Sequence, residues 1–297
     1  MTRSIDFVHR WRIWFAISGT LIVVAVLSLA LRGLNYGIDF TGGTQFDLTF
    51  HQAVSTAAIR RVLDRQGVHG STIVYVGHGR RQVLITTPNI PESTRNALLG
   101  QLSRQVGPYH EVSTDRVSAT IGRQTERTAL LAVLVATVAI VGYITLRFEF
   151  RFAVAAIVAL IHDVVISVGL IALIHIQLTV YFVMAVLTIF GYSVNDTIII
   201  FDRIRENLGR RKKGEPLDEL VNRSLNQVLV RSINTSSTVL IALLALFLFG
   251  GSSIKDFTLT MLLGVFFGTY SSIFIASPLW LLWRGRAGRV KGSPRVA

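Results

Sequence analysis

Residues 178–201, Leu-Thr-Val-Tyr-Phe-Val-Met-Ala-Val-Leu-Thr-Ile-Phe-Gly-Tyr-Ser-Val-Asn-Asp-Thr-Ile-Ile-Ile-Phe, decide the fold. A soluble helix of this length carries charge along its wet face, but this stretch holds one charged residue, Asp196. A run of about 20 apolar residues matches the hydrocarbon core of a bilayer, and inside lipid only a closed helix satisfies its own backbone. Five other stretches read the same way: Ile13–Leu31, Thr128–Leu146, Phe152–Ile174, Ser232–Phe249 and Phe257–Trp283. The first lacks a small-residue cleavage site and is too long for a signal-peptide core, so it reads as an uncleaved helix.

The composition agrees. Of 297 residues 51% are hydrophobic and 16% charged, with a mean hydropathy of +0.53. Soluble domains carry about 25% charged residues, and disorder needs low hydrophobicity, so both classes are excluded. The net charge of +13 is explained by position rather than by nucleic acid. Arg3, Arg10 and Arg12 precede the first span, and Arg147 and Arg151 sit between the second and third. Arg203, Arg205, Arg210, Arg211, Lys212 and Lys213 follow the fourth, and Arg284, Arg286, Arg289, Lys291 and Arg295 follow the sixth. Six spans put these four groups on one side, so both termini are expected in the cytoplasm, with membrane lipid around the spans and no nucleic-acid partner. The chain has no Cys, and neither HExxH nor a phosphate loop occurs, so no metal site, cofactor or catalytic residue is expected.

About 95 residues separate the first two spans, too many for an unstructured loop. Gln45–Phe50 alternates with the strand period, and Val54, Ala58, Ile59, Val62 and Leu63 follow a helical one, ending at Gly67. Thr72–Val76 and Gln82–Thr87 flank Gly77-His-Gly-Arg80 as a hairpin. A second helix is expected after Asn89, as N-cap, and Pro91, with Leu98, Leu99, Leu102 and Val106 on one face up to Gly107, and a last strand from Tyr109. The order β-α-β-β-α-β predicts a ferredoxin-like α+β domain. The expected organisation is a tail at 1–12, a span at 13–31, an extracytoplasmic domain at 32–127, a five-helix bundle at 128–283 with a basic loop at 202–231, and a basic tail at 284–297.

A charge inside a span costs about 2.5–3.5 kcal/mol, so the intramembrane acids carry the functional reading. Asp163 lies midway along the third span beside His162. Asp196 lies about 8 Å inside the end of the fourth, flanked by Ser193 and Asn195. The structural alternative for each is a polar contact that specifies helix packing. Arg231, taken to open the fifth span ahead of Ser232, Asn234, Thr235, Ser236, Ser237 and Thr238, is the candidate movable partner of Asp196; Arg203, seven residues on, competes for it. Asp202 and Arg203 read as anchors of the helix end. Gly37-Ile-Asp-Phe-Thr-Gly-Gly43 is a poor phosphate cradle, having no Lys-Ser/Thr after it, and reads as a tight backbone joint through Gly37, Asp39, Gly42 and Gly43. Gly264 and Gly268 form a GxxxG that favours close helix packing. His51, His69, His78 and His110 lack ligand spacing.

Three segments resemble the bacterial SecF family of protein-export membrane proteins, related to the resistance-nodulation-division transporters. They are Gly37–Gly43, Ala159-Leu-Ile-His-Asp-Val-Val165 and Gly191-Tyr-Ser-Val-Asn-Asp-Thr-Ile-Ile-Ile-Phe-Asp-Arg-Ile-Arg-Glu-Asn207. The resemblance covers essentially the whole chain. It implies a bacterial inner-membrane subunit that works with SecD, the SecYEG channel and the translocating preprotein, with YajC as a further partner. It implies use of the proton motive force to complete translocation after the ATP-dependent step. The family's functional Asp falls on Asp196 and its functional Arg on Arg231, while Asp163 matches a His-Asp pair. Two alternatives stay open on the residues: a proton-driven small-molecule or lipid exporter, and a non-transporting assembly scaffold.

Overall fold

The computed structural model describes residues 5–77 and 79–290, so His78 and the basic Arg3, Lys291 and Arg295 lie outside the described residues. In chain order the elements are α1 (Trp11–Arg32), β1 (Asn35–Tyr36), α2 (Ile38–Thr41), β2 (Gly43–Phe50), α3 (Thr56–Arg65), β3 (Thr72–Val76), β4 (Gln82–Thr87), α4 (Glu92–Gln105) and β5 (Tyr109–Val117). There follow α5 (Ala119–Arg147), α6 (Phe150–Leu173), β6 (Gln177–Leu178), α7 (Val180–Gly209), α8 (Leu217–Phe249), α9 (Ser252–Ser271), a π turn (Ser272–Ala276) and α10 (Ser277–Val290). Among the described residues six helices are long and apolar enough to cross a membrane, the sixth running through α9, the π turn and α10. The chain divides into a helix bundle and an outer domain of residues 36–132 together with 177–180.

The bundle core is aromatic at one end. Phe152 stacks on Trp280 with centroids 4.5 Å apart and meets Phe201 at 4.9 Å, and all three are buried. Elsewhere small residues let helices touch. A Cβ on Gly169 of α6 would stand 2.2 Å from Ala25 Cβ of α1, and one on Gly264 of α9 would stand 2.1 Å from Ile189 Cδ1 of α7. The GxxxG of α9 is thus a contact with α7. The π turn has a local cause. Pro278 has no N–H and its ring crowds the carbonyl four residues back, and just ahead of it the Ser277 hydroxyl donates to the Ser272 carbonyl at 3.1 Å.

Three helix boundaries differ most from the hydropathy reading. α5 starts nine residues before Thr128, and α7 runs eight beyond Phe201. α8 starts at Leu217 rather than Ser232, so the expected basic loop at 202–231 is mostly helix and Arg231 sits in mid-helix instead of opening it. Pro216 stands at the N-cap, Asp218 and Glu219 favour the positive helix end, and Leu220, Val221, Ser224, Leu225 and Val228 bury one face. That is the pattern of a water-soluble amphipathic helix, which hydropathy averaging passes over.

Ile5–His9 straps across this part of α8. The Ile5 and Phe7 N–H groups donate to Asn226 Oδ1 and Asn222 Oδ1, each at 2.9 Å, and Asn226 returns a bond to the Ile5 carbonyl. Phe7 and Val8 are buried, and His9 lies between Asp6 (2.9 Å) and Asp218 (3.1 Å). The hydrogen bond with Asp6, aided by Asp218, raises the His9 pKa above its ordinary 6.5. A raised cation pKa means the folded strap binds the proton more tightly, so its contribution is complete below about pH 6.5 and fades as pH rises through the higher folded value. Protease cleavage near Ile5 is therefore expected to be faster at pH 8.5 than at 5.5, and His9→Gln should remove that pH dependence.

The outer domain has the expected β-α-β-β-α-β order, in β2 to β5. Its sheet order is β3-β4-β2-β5 with every pair antiparallel, the ferredoxin-like arrangement. Phe46, Leu48 and Phe50 of β2 meet Val83 and Ile85 of β4, Ile59, Val62 and Leu63 of α3, and Leu98 and Leu102 of α4 in one core. Ser55 caps α3 by accepting the Ala58 N–H at 3.1 Å. Pro91, not Asn89, occupies the N-cap of α4; the Asn89 side chain instead accepts from Arg116 Nε at 3.1 Å. β5 runs from Tyr109 to Val117, and its pairing with β2 carries a bulge at Asp47/Leu48.

The seven-residue glycine motif is tightly packed against neighbouring backbone. α2 is a single turn inside it, and β1 pairs with β6 beside it. A Cβ on Gly37 would stand 2.7 Å from the Leu178 carbonyl, and one on Gly42 2.8 Å from Ala119 Cα. Gly43, at φ +143°, would place a Cβ 2.4 Å from the Thr87 carbonyl oxygen.

Candidate functional site

Both intramembrane acids are buried, Asp163 at 0% and Asp196 at 1% exposure, but their surroundings differ. Asp163, on α6, is fully paired. Oδ1 lies 2.9 Å from His162 Nδ1, and Oδ2 accepts from Ser193 Oγ of α7 at 2.6 Å and from Ser271 Oγ of α9 at 2.7 Å. Gly268 makes room for this junction: a Cβ there would stand 3.1 Å from Ser193 Cβ. One turn on, Thr197 and Ser272 share a hydrogen bond of 2.8 Å, which fixes α7 against the π turn. The His162 ring stacks near Tyr270 with centroids 6.2 Å apart, and its Nε2 is buried without a partner.

Asp196, one turn along α7 from Tyr192, is under-satisfied. Its Oδ2 is buried with no hydrogen-bond partner among the described residues. The hydroxyls of Thr269 (α9) and Ser236 (α8) lie against the carboxyl group and bond one another at 2.7 Å, and Tyr192 Oη donates to Ser236 at 3.1 Å. In lipid every unpaired polar group is costly, so this carboxyl is poised to bind whatever neutralises it.

The structure does not bring the expected arginines to Asp196. Arg231 is exposed and forms no ion pair among the described residues. Arg203 bonds Gln227 at 2.7 Å and Glu206, and Asp202 pairs with Arg147 at 3.2 Å. Asn195 is exposed, outside the cluster. The polar stretch of α8 divides between two faces. Ser232 and Ser236 point inward, while Arg231, Asn234, Thr235 and Thr238, at helical spacing, form an exposed stripe. Sequence reasoning missed Tyr192, Thr197, Thr269, Ser271 and Ser272. The available signal was the run Gly268-Thr-Tyr-Ser-Ser272, five small or polar residues inside an apolar span.

Residues 99–286 match the family described as Protein export membrane protein SecD/SecF, C-terminal, and residues 27–54 match the SecD/SecF GG motif. The chain belongs to the SecD/SecF family. Among SecF relatives, the protein translocase subunit SecF of Alicyclobacillus acidocaldarius is 41% identical over 97% of this chain and 95% of its own length. The translocase subunit SecDF of Bacillus subtilis is 35% identical over 95% of this chain but 38% of its own. The crystal structure of SecDF from Thermus, described as a translocon-associated membrane protein, superposes with a TM-score of 0.89 at 36% identity. That match covers 96% of this chain and 39% of the SecDF chain, so this chain spans about two fifths of that solved relative. A SecDF structure in a super-membrane-facing form gives a TM-score of 0.72. The family motif of 27–54 contains the crowded Gly37–Gly43 turn, and that of 99–286 contains both intramembrane acids. The chain is a multi-pass membrane protein of a protein-export family, with a transport rather than a catalytic role.

Proposed function

We propose that this chain is a subunit of the bacterial Sec translocase accessory complex that uses the proton motive force to complete preprotein movement after the ATP-dependent step. The observation that carries the reading is Asp196: a membrane-buried carboxyl on α7 with an oxygen that has no partner among the described residues, set against hydroxyls from α8 and α9. Protons are the coupling ion, and Asp196 is the group that takes and releases them. Asp163, held by His162, Ser193 and Ser271, is the fixed polar centre of the path. Arg231 acts on Asp196 only after α8 or its own long side chain reorients. One charge crossing 100 mV supplies about 2.3 kcal/mol, enough to bias such a helix pair roughly fiftyfold.

SecD is the partner the exposed stripe of α8 favours. Arg231, Asn234, Thr235 and Thr238 would otherwise face lipid, at a cost of several kcal/mol, so a second membrane protein with polar groups is expected to cover them. The relatives in which SecD and SecF form one chain support the same pairing. SecYEG, YajC and the preprotein are proposed as the wider assembly. The location is the cytoplasmic membrane with both termini inside, from the loop charges.

The test is reconstitution of inverted vesicles with SecD and SecYEG, with and without this chain. An imposed proton gradient should raise completed preprotein transport severalfold only when the chain is present. Equal transport in both would reject the reading, and severalfold efflux of a small apolar cation instead would favour the exporter.

A further inference from the structure

The first residue of α7 and the three ahead of it belong to the outer domain, not to the bundle: Gln177–Val180 group with residues 36–132. Three contacts hold them. β1 pairs with β6, the Gly37 N–H donates to the Leu178 carbonyl at 2.8 Å, and Asp39 Oδ2 accepts the Val180 N–H at 2.8 Å. Val180 is the first residue of α7, so Asp39 satisfies from a distant segment one of the four first-turn N–H groups that a helix leaves without an internal partner. A carboxylate there also opposes the positive helix end. Asp39 is held in place by the single turn α2, and Gly37 beside it leaves no room for a side chain against Leu178. The helix that Asp39 caps is unbroken from Val180 to Gly209, and Asp196 lies about 24 Å along it at 1.5 Å per residue.

We propose that Asp39 is a positioning residue: its bond to the first N–H of α7 ties the outer domain to the helix that carries Asp196, so that a shift of that helix is passed to the outer domain. The proposal rests on the reading of Asp196 as the proton-binding group. A helix transmits an axial or rotational shift along its length, and a contact at its first residue is the point where the outer domain receives it. The alternative is that Asp39 merely stabilises the first turn of α7, as any N-cap does.

The two are separated by giving α7 a cap of its own. Asp39→Ala, Asp39→Asn, Thr179→Asp and the double variant Asp39→Ala/Thr179→Asp are compared in the full complex. Two readouts are taken: amide exchange over Val180–Met184, and proton-gradient stimulation of preprotein transport in inverted vesicles. Asp39→Ala should speed exchange about tenfold and reduce stimulation at least fivefold. Thr179→Asp in that background should restore slow exchange, because the first turn is capped again, yet leave stimulation low, because the tie is still cut. Asp39→Asn, which keeps an oxygen acceptor on the same stem, should retain at least half of the stimulation. Recovery of stimulation in the double variant, or full stimulation in Asp39→Ala, would overturn the proposal, as would Asn failing as completely as Ala. Asp196→Asn runs alongside. Full stimulation there would reject the proton reading instead, and the Asp39 series would still decide the tie because it reads stimulation directly.

Discussion

Asp196→Asn is expected to abolish proton-gradient stimulation of preprotein transport while leaving the protein folded and bound to SecD. Asn matches Asp in size and keeps its hydrogen-bonding capacity toward Ser236 and Thr269, so the junction of α7, α8 and α9 should survive. It cannot titrate, so it fixes the site in the equivalent of the protonated state. Stimulation should fall at least tenfold, to the level of vesicles lacking the chain. Asp163→Asn makes the informative contrast. Asp163 has three partners, with the Ser193 and Ser271 hydroxyls donating to Oδ2 and His162 Nδ1 against Oδ1, and an amide in its place can accept through only one atom. Its main effect should therefore be on assembly, read as reduced membrane accumulation. Normal stimulation in a well-expressed Asp196→Asn protein would sink the relay and leave the scaffold reading standing.

Gly43→Val should have the largest structural effect. Gly43 is at φ +143°, a backbone conformation β-branched residues avoid, and its Cβ would fall 2.4 Å from the Thr87 oxygen. Neither atom can yield cheaply, since Thr87 is paired with Thr44 in the β2–β4 ladder and Gly43 with Val117 in the β2–β5 ladder. A loss of about 3 kcal/mol or more is expected, at or beyond the upper end of overpacking costs. Limited proteolysis should then cut within 43–117 in the variant and not in the parent. Resistance equal to the parent would mean the turn can relax.

How legible each part was follows from the physics that shapes it. The six spans and the β2–β5 order were readable because both obey a single period, about 20 apolar residues for a helix in lipid and alternation for a strand. The hairpin edges Thr72–Val76 and Gln82–Thr87 match the structure residue for residue, since Gly77 closes the first strand and Pro88 the second. The N-terminal half of α8 was hidden because a soluble helix adjoins a membrane one, and averaging sees only the apolar part. At the site, Asp163, His162 and Ser193 were found and do meet. Ser271, Ser272 and Thr269 were missed because hydroxyls cost little in a span and leave almost no hydropathy signal. Arg231 was placed by charge and motif, but which face of a helix a residue takes depends on packing against α7 and α9, which no local pattern encodes.

α8 is one rod of 33 residues, about 50 Å long. Its inner part carries Ser232 and Ser236 at the carboxyl junction, and its outer part is gripped through Asn222 and Asn226 by the strap of Ile5–His9. A helix does not compress, so a screw-like turn at Ser236 has to appear ten residues away as sliding between Asn226 and the Ile5 backbone. The strap is therefore a mechanical gauge: an event at the buried carboxyl becomes readable at the exposed end of the helix, where hydrogen exchange and reactive labels have access.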